Sequence, residues 1–222
     1  MKALLFDLDG TLTDISRREI ETLFDTVNHF GLNVSRAEVE KIYFQMPSYV
    51  EVLEKFGLRL SDEVFHYLTS SFVKNYPLAV AREGVKSMLK TLSEKYVLVC
   101  VTSRETLTEV TWELNFLGIN HLFDFVVARD VAAKHFGLDF IPFSPFYEQR
   151  KMLYQCALEL ANCSPREAIV IGDMERELKP AKELGITTIG IVAHEARKNE
   201  LEEASDFLIS NIAELQGVLS KI

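Results

Sequence analysis

Two aspartates separated by one residue stand out near the start of the chain, directly after a short apolar run. Asp7 and Asp9 follow the run at residues 3–6, and Gly10 comes next. Residues i and i+2 of a strand point to the same side, so both carboxylates can face one site where the strand ends. Carboxylates this close repel each other unless a cation or a shared proton joins them, and Mg²⁺ prefers oxygen ligands. The spacing therefore predicts a magnesium site, with Gly10 allowing the sharp turn behind it.

Length, composition and charge restrict the class of protein. The chain has 222 residues, of which 48% are hydrophobic and 26% are charged, as expected of one globular domain or a domain with a sizeable insertion. Its formal net charge of -9 argues against a nucleic-acid or anionic-membrane partner. An anionic substrate would therefore need a local positive centre.

The cysteines and histidines show no pattern of a metal centre. Cys100, Cys156 and Cys163 lack metal-ligand spacing and lie in apolar surroundings, so we expect reduced thiols in or near the core. The five histidines form no paired array, and a zinc site is not expected. No apolar run approaches the roughly 18 residues of a membrane span, and the start of the chain does not resemble a secretory signal. These features favour a cytoplasmic protein.

The periodicity of apolar residues divides the chain into two kinds of structure. From about residue 16 to about residue 76 apolar residues recur at helical spacing, with no convincing strand. Helices then alternate with continuous apolar strands, which is typical of a parallel sheet covered on both faces. The predicted fold is α/β, a Rossmann-like parallel sheet formed by residues 1–15 and 80–222, with an all-helical cap inserted at residues 16–79.

Polar residues stand at the ends of several predicted strands. Thr102 follows one apolar run and Asp173 follows another, as Asp7 and Asp9 follow the first. In open α/β sheets ligands bind beyond the carboxyl ends of the strands, near the switch point of the strand order. We therefore predict that one site collects these four residues.

These motifs carry a family resemblance that covers nearly the whole chain. The matching segments are Phe6-Asp7-Leu8-Asp9-Gly10-Thr11, Val101-Thr102-Ser103 and Ile171-Gly172-Asp173. In their order and spacing they resemble the first, second and fourth motifs of haloacid dehalogenase-like (HAD) hydrolases, specifically the phosphoglycolate phosphatase-like type with a helical cap after the first strand. The resemblance implies a Mg²⁺-dependent phosphatase that acts on a small phosphorylated metabolite.

The resemblance also implies a role for each motif residue. Asp7 would attack phosphorus and form an aspartyl-phosphate, and carboxylates are established covalent catalysts. Asp9 would protonate the leaving oxygen and then activate water. Thr102 and a lysine would hold the phosphoryl group, and Asp173 would ligate Mg²⁺ with Asp7 and the Leu8 carbonyl. The predicted carboxylate ligands include Asp9 as well.

Residues next to the second motif form the predicted substrate contacts. Ser103 and Arg104 join Thr102 in this set, and Arg104 would reach a distal anionic group or would be an ordinary surface arginine. Thr102 and Asp173 each have a simpler alternative, which is to cap the helix that follows.

The lysine of the third motif is the weakest part of the match. Family members often carry Lys-Pro at the start of the helix before the fourth motif, and this chain has none there. Lys151, near the start of a predicted helix over 147–161, is the preferred residue, and Lys134 is the alternative. Lys179 precedes a proline but lies after Asp173, so we assign it to a helix surface.

Two further features depart from the family pattern. Glu177 stands where relatives commonly have an aspartate, and would either orient a metal-bound water or cap its helix. The segment 129–147 is longer than usual and rich in phenylalanine and proline. It would form a flap that selects substrate or, as we prefer, pack over the edge of the sheet.

Several functions compete with a phosphatase. A phosphomutase shares the paired aspartates, whereas dehalogenases of the family lack the second one. A response-regulator-like receiver would need its acceptor aspartate at the carboxyl end of the third strand, but Asp124 stands at the start of that run. A non-catalytic phospho-ligand-binding protein on the same scaffold is the remaining alternative. Neither the substrate nor the oligomeric state follows from the sequence.

Overall fold

The computed structural model describes residues 2–46, 48–143 and 145–222, which form eight strands and eleven α-helices. The strands are β1 (Ala3–Phe6), β2 (Thr13–Asp14), β3 (Val80–Ala81), β4 (Val97–Val101), β5 (Phe125–Val127), β6 (Ala168–Gly172), β7 (Thr187–Ile191) and β8 (Phe207–Ile209). The helices are α1 (Ser16–His29), α2 (Arg36–Tyr43), α3 (Tyr49–Lys55), α4 (Asp62–Lys74), α5 (Val85–Ser93), α6 (Leu107–Phe116), α7 (Arg129–His135), α8 (Phe146–Leu160), α9 (Glu175–Glu183), α10 (Lys198–Ala204) and α11 (Leu215–Leu219).

Six strands form one parallel sheet in the order β5-β4-β1-β6-β7-β8. The first strand of the chain is therefore central, with β4 on one side and β6 on the other. The predicted α/β class and parallel sheet are confirmed. β2 and β3 form a separate two-stranded sheet.

The central strand is apolar throughout because both of its faces are covered. Ala3 and Leu5 belong to one buried cluster, and Leu4 and Phe6 belong to another. This division follows the two-residue period of a strand, with successive side chains on opposite faces. All four side chains are fully buried, which fixes the register of β1 in the sheet.

The chain divides into two compact units. The α/β unit contains the residues up to Thr13, Ala81–Ala193 and Lys198–Ile222. The helical unit contains Asp14–Val80 and the short segment His194–Arg197. The predicted division assigned that short segment to the α/β part, but the His194 ring lies against Tyr43 and its Nε2 donates a hydrogen bond to the Tyr43 carbonyl at 3.0 Å.

The helical unit has its own core from α1, α2, α3 and α4. Its buried apolar residues include Leu23, Val39 and Leu53. Glu19 is buried among them and accepts hydrogen bonds from the hydroxyls of Tyr43 and Tyr49. A buried carboxylate needs such donors, because removing it from water without partners is costly.

The segment 129–147 begins with α7 and continues as a loop towards α8. Ile141 is buried in the core of the α/β unit, and its carbonyl accepts a hydrogen bond from Arg129 at 3.0 Å. Phe140 and Phe143 are exposed. One residue of this loop thus anchors it to the core, while Ser144 lies outside the described residues.

None of the helices in the described part of the chain is long and apolar enough to cross a membrane. The three cysteines are free thiols, with Cys100 and Cys156 buried and Cys163 partly buried. Burial raises the pKa of the Cys156 thiol to about 11, so this sulfur stays protonated and unreactive at neutral pH.

Candidate active site

Three neighbouring strands deliver polar side chains to one edge of the sheet. Asp7, Thr102 and Asp173 each come directly after the last residue of β1, β4 or β6. All three side chains are buried. Because parallel strands place their carboxyl ends at the same edge, the sheet order brings these residues together as predicted.

The turn after Asp9 packs tightly against Asp173. Gly10 has a φ of +90°, and a Cβ on it would lie 2.4 Å from the Asp173 Oδ2 atom. The Thr11 hydroxyl donates a hydrogen bond to Asp173 Oδ1 at 3.1 Å. A side chain at position 10 would therefore displace the carboxylate, so both the conformation and the close approach require glycine.

Three buried carboxylates lie close enough to share one metal ion. Ligand oxygens of Asp7, Asp173 and Glu177 lie within 4.8 Å of one another. Asp7 Oδ2 and Glu177 Oε2 are buried and have no hydrogen-bond partner among the described residues. Burial, followed by the charge of Glu177, raises the pKa of Asp7 well above its usual value, although Arg150 opposes this. Such excess negative charge and unsatisfied hard oxygens fit a divalent cation such as Mg²⁺.

This ligand set differs from the predicted one at two positions. Both oxygens of the Asp9 carboxylate accept hydrogen bonds from Arg104, and Glu177 takes the third place in the carboxylate cluster. The Leu8 carbonyl accepts from the backbone N–H groups of Leu12 and Thr13 and from the Thr13 hydroxyl. Its lone pairs are thus committed to the turn, and these contacts do not support the predicted metal ligation by this carbonyl.

The cation beside Asp7 is Arg150 rather than Lys151. The Arg150 side chain is fully buried, and its Nη2 donates to Asp7 Oδ1 at 3.0 Å. The same guanidinium donates to Ser103 Oγ at 3.3 Å and to the Tyr154 hydroxyl at 3.0 Å, and lies 3.9 Å from Glu177. Tyr154, followed by the carboxylates of Glu177 and Asp7, raises the pKa of Arg150 despite its burial, so Arg150 supplies a permanent positive charge.

Both predicted lysines lie elsewhere. The Lys151 ammonium pairs with Glu183 at 2.7 Å and with Glu148 at 3.8 Å on the outer side of α8. Lys134 is exposed on α7. Lys151 does not lie beside Asp7 because one residue along a helix turns the side chain by about 100°, and Arg150 takes the inward direction.

Arg104 is also buried, contrary to the surface alternative. Its Nε donates to Asp9 Oδ2 at 2.8 Å and its Nη1 donates to Glu113 Oε2 at 2.6 Å. Asp9 and Glu113 therefore hold the guanidinium that was predicted to bind substrate. Asp9 itself keeps about a fifth of its side chain exposed, at 22%.

Thr102 and Asp173 do not stand at the N-cap positions of the helices that follow them. The N-cap of α6 is Thr106, whose side chain accepts from the N–H of Glu109. The N-cap of α9 is Met174. The Thr102 hydroxyl instead accepts the backbone N–H of Arg104 at 3.3 Å, and Asp173 binds Thr11, so neither residue caps the following helix.

A comparison with known proteins identifies the class. The family model described as haloacid dehalogenase-like hydrolase matches residues 4–191. The chain therefore belongs to the haloacid dehalogenase-like hydrolase family, as its motifs predicted.

Individual relatives agree with the phosphatase type. The chain is 26% identical to a glyceraldehyde 3-phosphate phosphatase of Methanocaldococcus jannaschii, with 100% of this chain and 98% of that protein covered. It is 27% identical to the pyrophosphatase PpaX of Bacillus velezensis, covering 85% of this chain and 82% of that protein. A haloacid dehalogenase-like hydrolase structure from Streptococcus pneumoniae aligns with a TM-score of 0.77 at 23% identity, covering 99% of this chain and 98% of that one. The prediction of a phosphatase of this family is confirmed at this level.

Proposed function

We propose that this protein hydrolyses a small phosphomonoester through an aspartyl-phosphate on Asp7, with Mg²⁺ as cofactor. The observation that carries the proposal is the placement of the Asp7 carboxylate. One of its oxygens binds Arg150, and the other is buried without a hydrogen-bond partner among the described residues. An oxygen of this kind is available to a metal, and the arginine keeps the carboxylate oriented.

Asp7, Asp173 and Glu177 are the residues that would hold the metal. Bound there, Mg²⁺ would neutralise charge on the phosphoryl oxygens and allow an anionic nucleophile to approach them. Arg150 supplies a second positive centre in the same place. The local charge needed by an anionic substrate is thus available in a chain whose net charge is negative.

The remaining residues would orient the phosphoryl group and move protons. Thr102 and Ser103 stand at the end of β4, next to Asp7 in the sheet order. Attack by Asp7 on phosphorus breaks the bond to the leaving oxygen, which departs with its electron pair and takes up a proton from Asp9. Water then attacks the phospho-Asp7 phosphorus, phosphate leaves, and Asp9 accepts the proton of that water.

Two relatives suggest which phosphoryl compounds to test first. One is named for glyceraldehyde 3-phosphate and the other for pyrophosphate. These compounds differ in the leaving group, which is an alcohol in the first and a phosphate in the second. Both belong in a screen of small phosphorylated compounds.

The test is a screen for released phosphate with and without Mg²⁺, run on wild type and Asp7→Asn. We expect Mg²⁺-dependent release from at least one compound and a loss of at least about 1,000-fold in Asp7→Asn. Glu175→Gln is the matched control and should keep wild-type activity. Glu175 is on the same helix as Glu177, but its carboxylate is partly exposed and pairs with Lys179.

Two results would contradict the proposal. A folded protein that releases no phosphate from any compound would exclude a phosphatase in favour of a phospho-ligand-binding protein. Transfer of the phosphoryl group within the substrate, without release of phosphate, would identify a phosphomutase instead.

A further inference from the structure

Asp9 is held by an arginine that the family motifs do not specify in this role. Both of its carboxylate oxygens accept from Arg104, one from Nε at 2.8 Å and the other from Nη2. Two parallel hydrogen bonds from one planar guanidinium fix the direction of a carboxylate as well as its position. Asp9 is therefore oriented by a bidentate interaction with the planar guanidinium rather than by a single hydrogen bond.

Arg104 is in turn fixed at its third nitrogen and at its backbone. Its Nη1 donates to Glu113 Oε2 at 2.6 Å. Its backbone N–H reaches the Thr102 hydroxyl at 3.3 Å, and its carbonyl accepts the N–H of Arg129 at 3.1 Å. The guanidinium thus has a carboxylate at each of its three nitrogens and little freedom to move.

Glu113 has no evident packing reason to be buried. It is 1% exposed on α6, although two aromatic residues of the same helix, Trp112 and Phe116, are more than half exposed. Burying a carboxylate costs free energy unless a charged partner compensates. Its placement is explained by Arg104, and through Arg104 by Asp9.

The arrangement favours one of the two proton transfers proposed for Asp9. Both oxygens accept hydrogen bonds from the Arg104 guanidinium, which holds the carboxylate in one orientation as an acceptor. A group of this kind is suited to take a proton from water. In that step the water oxygen bonds to phosphorus, the bond from phosphorus to the Asp7 oxygen breaks, and its electron pair returns to Asp7.

We propose that Arg104 and Glu113 are positioning residues that aim Asp9 at the water which hydrolyses phospho-Asp7. Neither residue touches the phosphoryl group in this scheme. Their effect falls on the second half of the turnover, hydrolysis of the intermediate, more than on its formation. The inference rests on the proposed phosphatase mechanism and adds the residues that control its second step.

The test follows formation and hydrolysis separately with p-nitrophenyl phosphate, whose leaving group departs without a proton. In Arg104→Met we expect hydrolysis of phospho-Asp7 to slow by about 100-fold, the scale of a misplaced catalytic group. Acid quenching should then trap most of the enzyme as phosphoenzyme, after a burst of about one nitrophenol per active site. Because kcat/KM reports formation, it should change by less than about threefold while kcat falls.

Three further variants make the result specific. Arg104→Lys keeps the charge and loses the bidentate interaction, so its kcat should lie between wild type and Arg104→Met, and it serves as the test if the methionine variant does not fold. Glu113→Gln should lower kcat in the same direction, with kcat/KM preserved. Arg36→Met, which removes an exposed arginine paired with Glu21 and Glu40 in the helical unit, should behave as wild type.

Different outcomes overturn different claims. Equal losses in kcat and kcat/KM, without a rise in trapped phosphoenzyme, would reduce Arg104 to a structural residue and leave the phosphatase proposal intact. Unchanged kcat in all Arg104 and Glu113 variants would also exclude the positioning role. Absence of any Asp7-dependent phosphoenzyme or turnover in wild type would overturn the proposed function itself, and the inference with it.

Discussion

The two aspartates of the first motif each contact a buried arginine, and the two clusters differ in how completely their carboxylates are hydrogen-bonded. Around Arg104 every guanidinium nitrogen donates to a carboxylate, two to Asp9 and one to Glu113. Around Arg150, by contrast, one oxygen of Asp7 and one of Glu177 remain without a hydrogen-bond partner in the described part of the chain. One cluster is complete as it stands, whereas the other needs a further cation.

This difference indicates that the Arg150 cluster takes part in the reaction, whereas the Arg104 cluster holds a side chain in place. Unpaired buried oxygens are costly, and a protein keeps them where a ligand or metal will use them. The saturated Arg104 cluster has no such demand and serves orientation. Removal of Arg150 should therefore lower the rate of the reaction with substrate. Loss of the metal ligand Glu177 should instead be compensated by a higher Mg²⁺ concentration.

Among the variants that separate the two arginine clusters, the loss of Arg150 should have the largest effect. Arg150→Met removes the positive charge next to Asp7 and leaves three buried carboxylates without it, so we expect kcat/KM to fall by at least about 100-fold, as for other charge-stabilising groups. Lys151→Met, one residue along α8, removes a surface ion pair and should change kcat/KM by less than about twofold. Steady-state phosphate release measures both. The opposite ranking would restore Lys151 as the phosphate-binding cation.

A smaller effect is expected from the third carboxylate of the metal cluster. Glu177→Gln removes one charged oxygen ligand, so the Mg²⁺ concentration for half-maximal activity should rise by about 10-fold to 100-fold, with activity recovered at high Mg²⁺. Titration of activity with Mg²⁺ measures the shift. Glu113→Gln is the matched control, since it removes the charge of a buried glutamate in the Arg104 cluster, away from the proposed metal ligands, and should leave the Mg²⁺ requirement unchanged. Equal shifts in both variants would contradict the comparison.

The smallest effect concerns stability against pH. Burial raises the pKa of Asp7 in the folded chain above the usual carboxyl value of 3.8. The folded state therefore favours the protonated carboxyl of Asp7. This contribution to stability is fully present below pH 3.8 and is lost as the pH rises through the raised pKa of the folded chain. With EDTA present, the thermal midpoint of wild type should fall by a few degrees more than that of Asp7→Asn between about pH 5 and about pH 8.

Added Mg²⁺ provides the internal check on that pH dependence. The metal binds ionised carboxylates, so its stabilisation should grow with pH and offset the fall in wild type. Parallel curves for wild type and Asp7→Asn under both conditions would show that the Asp7 environment is not the source.

Much of this architecture could be predicted because the period of apolar residues reflects burial directly. Continuous apolar runs with polar residues at their ends gave the parallel sheet and placed Asp7, Thr102 and Asp173 at one edge. The third apolar run becomes a strand only from Phe125 onward, and Asp124 before it bonds to Leu98 through both its side chain and its backbone. Boundaries depend on such individual contacts.

The two arginines were harder to predict, for different reasons. Arg150 had a signal: Phe146 and Tyr154 lie four residues to either side, and residues at this spacing share one face of a helix. Lys151 falls on the face of Tyr147 and Glu148. The expectation of a lysine, taken from the family resemblance, outweighed that periodicity. The Arg104 contacts had no comparable signal, because they depend on the conformation of the loop after β4 and on Glu113, nine residues further along in α6.

The central place of β1 has a consequence for how the protein is made. Residues 3–6 pair with residues 97–100 and with residues 168–171, so the first strand is completed by segments from the middle and the last third of the chain. Contacts this distant in sequence close late and slow the folding search. During synthesis, Asp7 therefore emerges long before its neighbour in the site, Asp173, which lies 166 residues further along the chain.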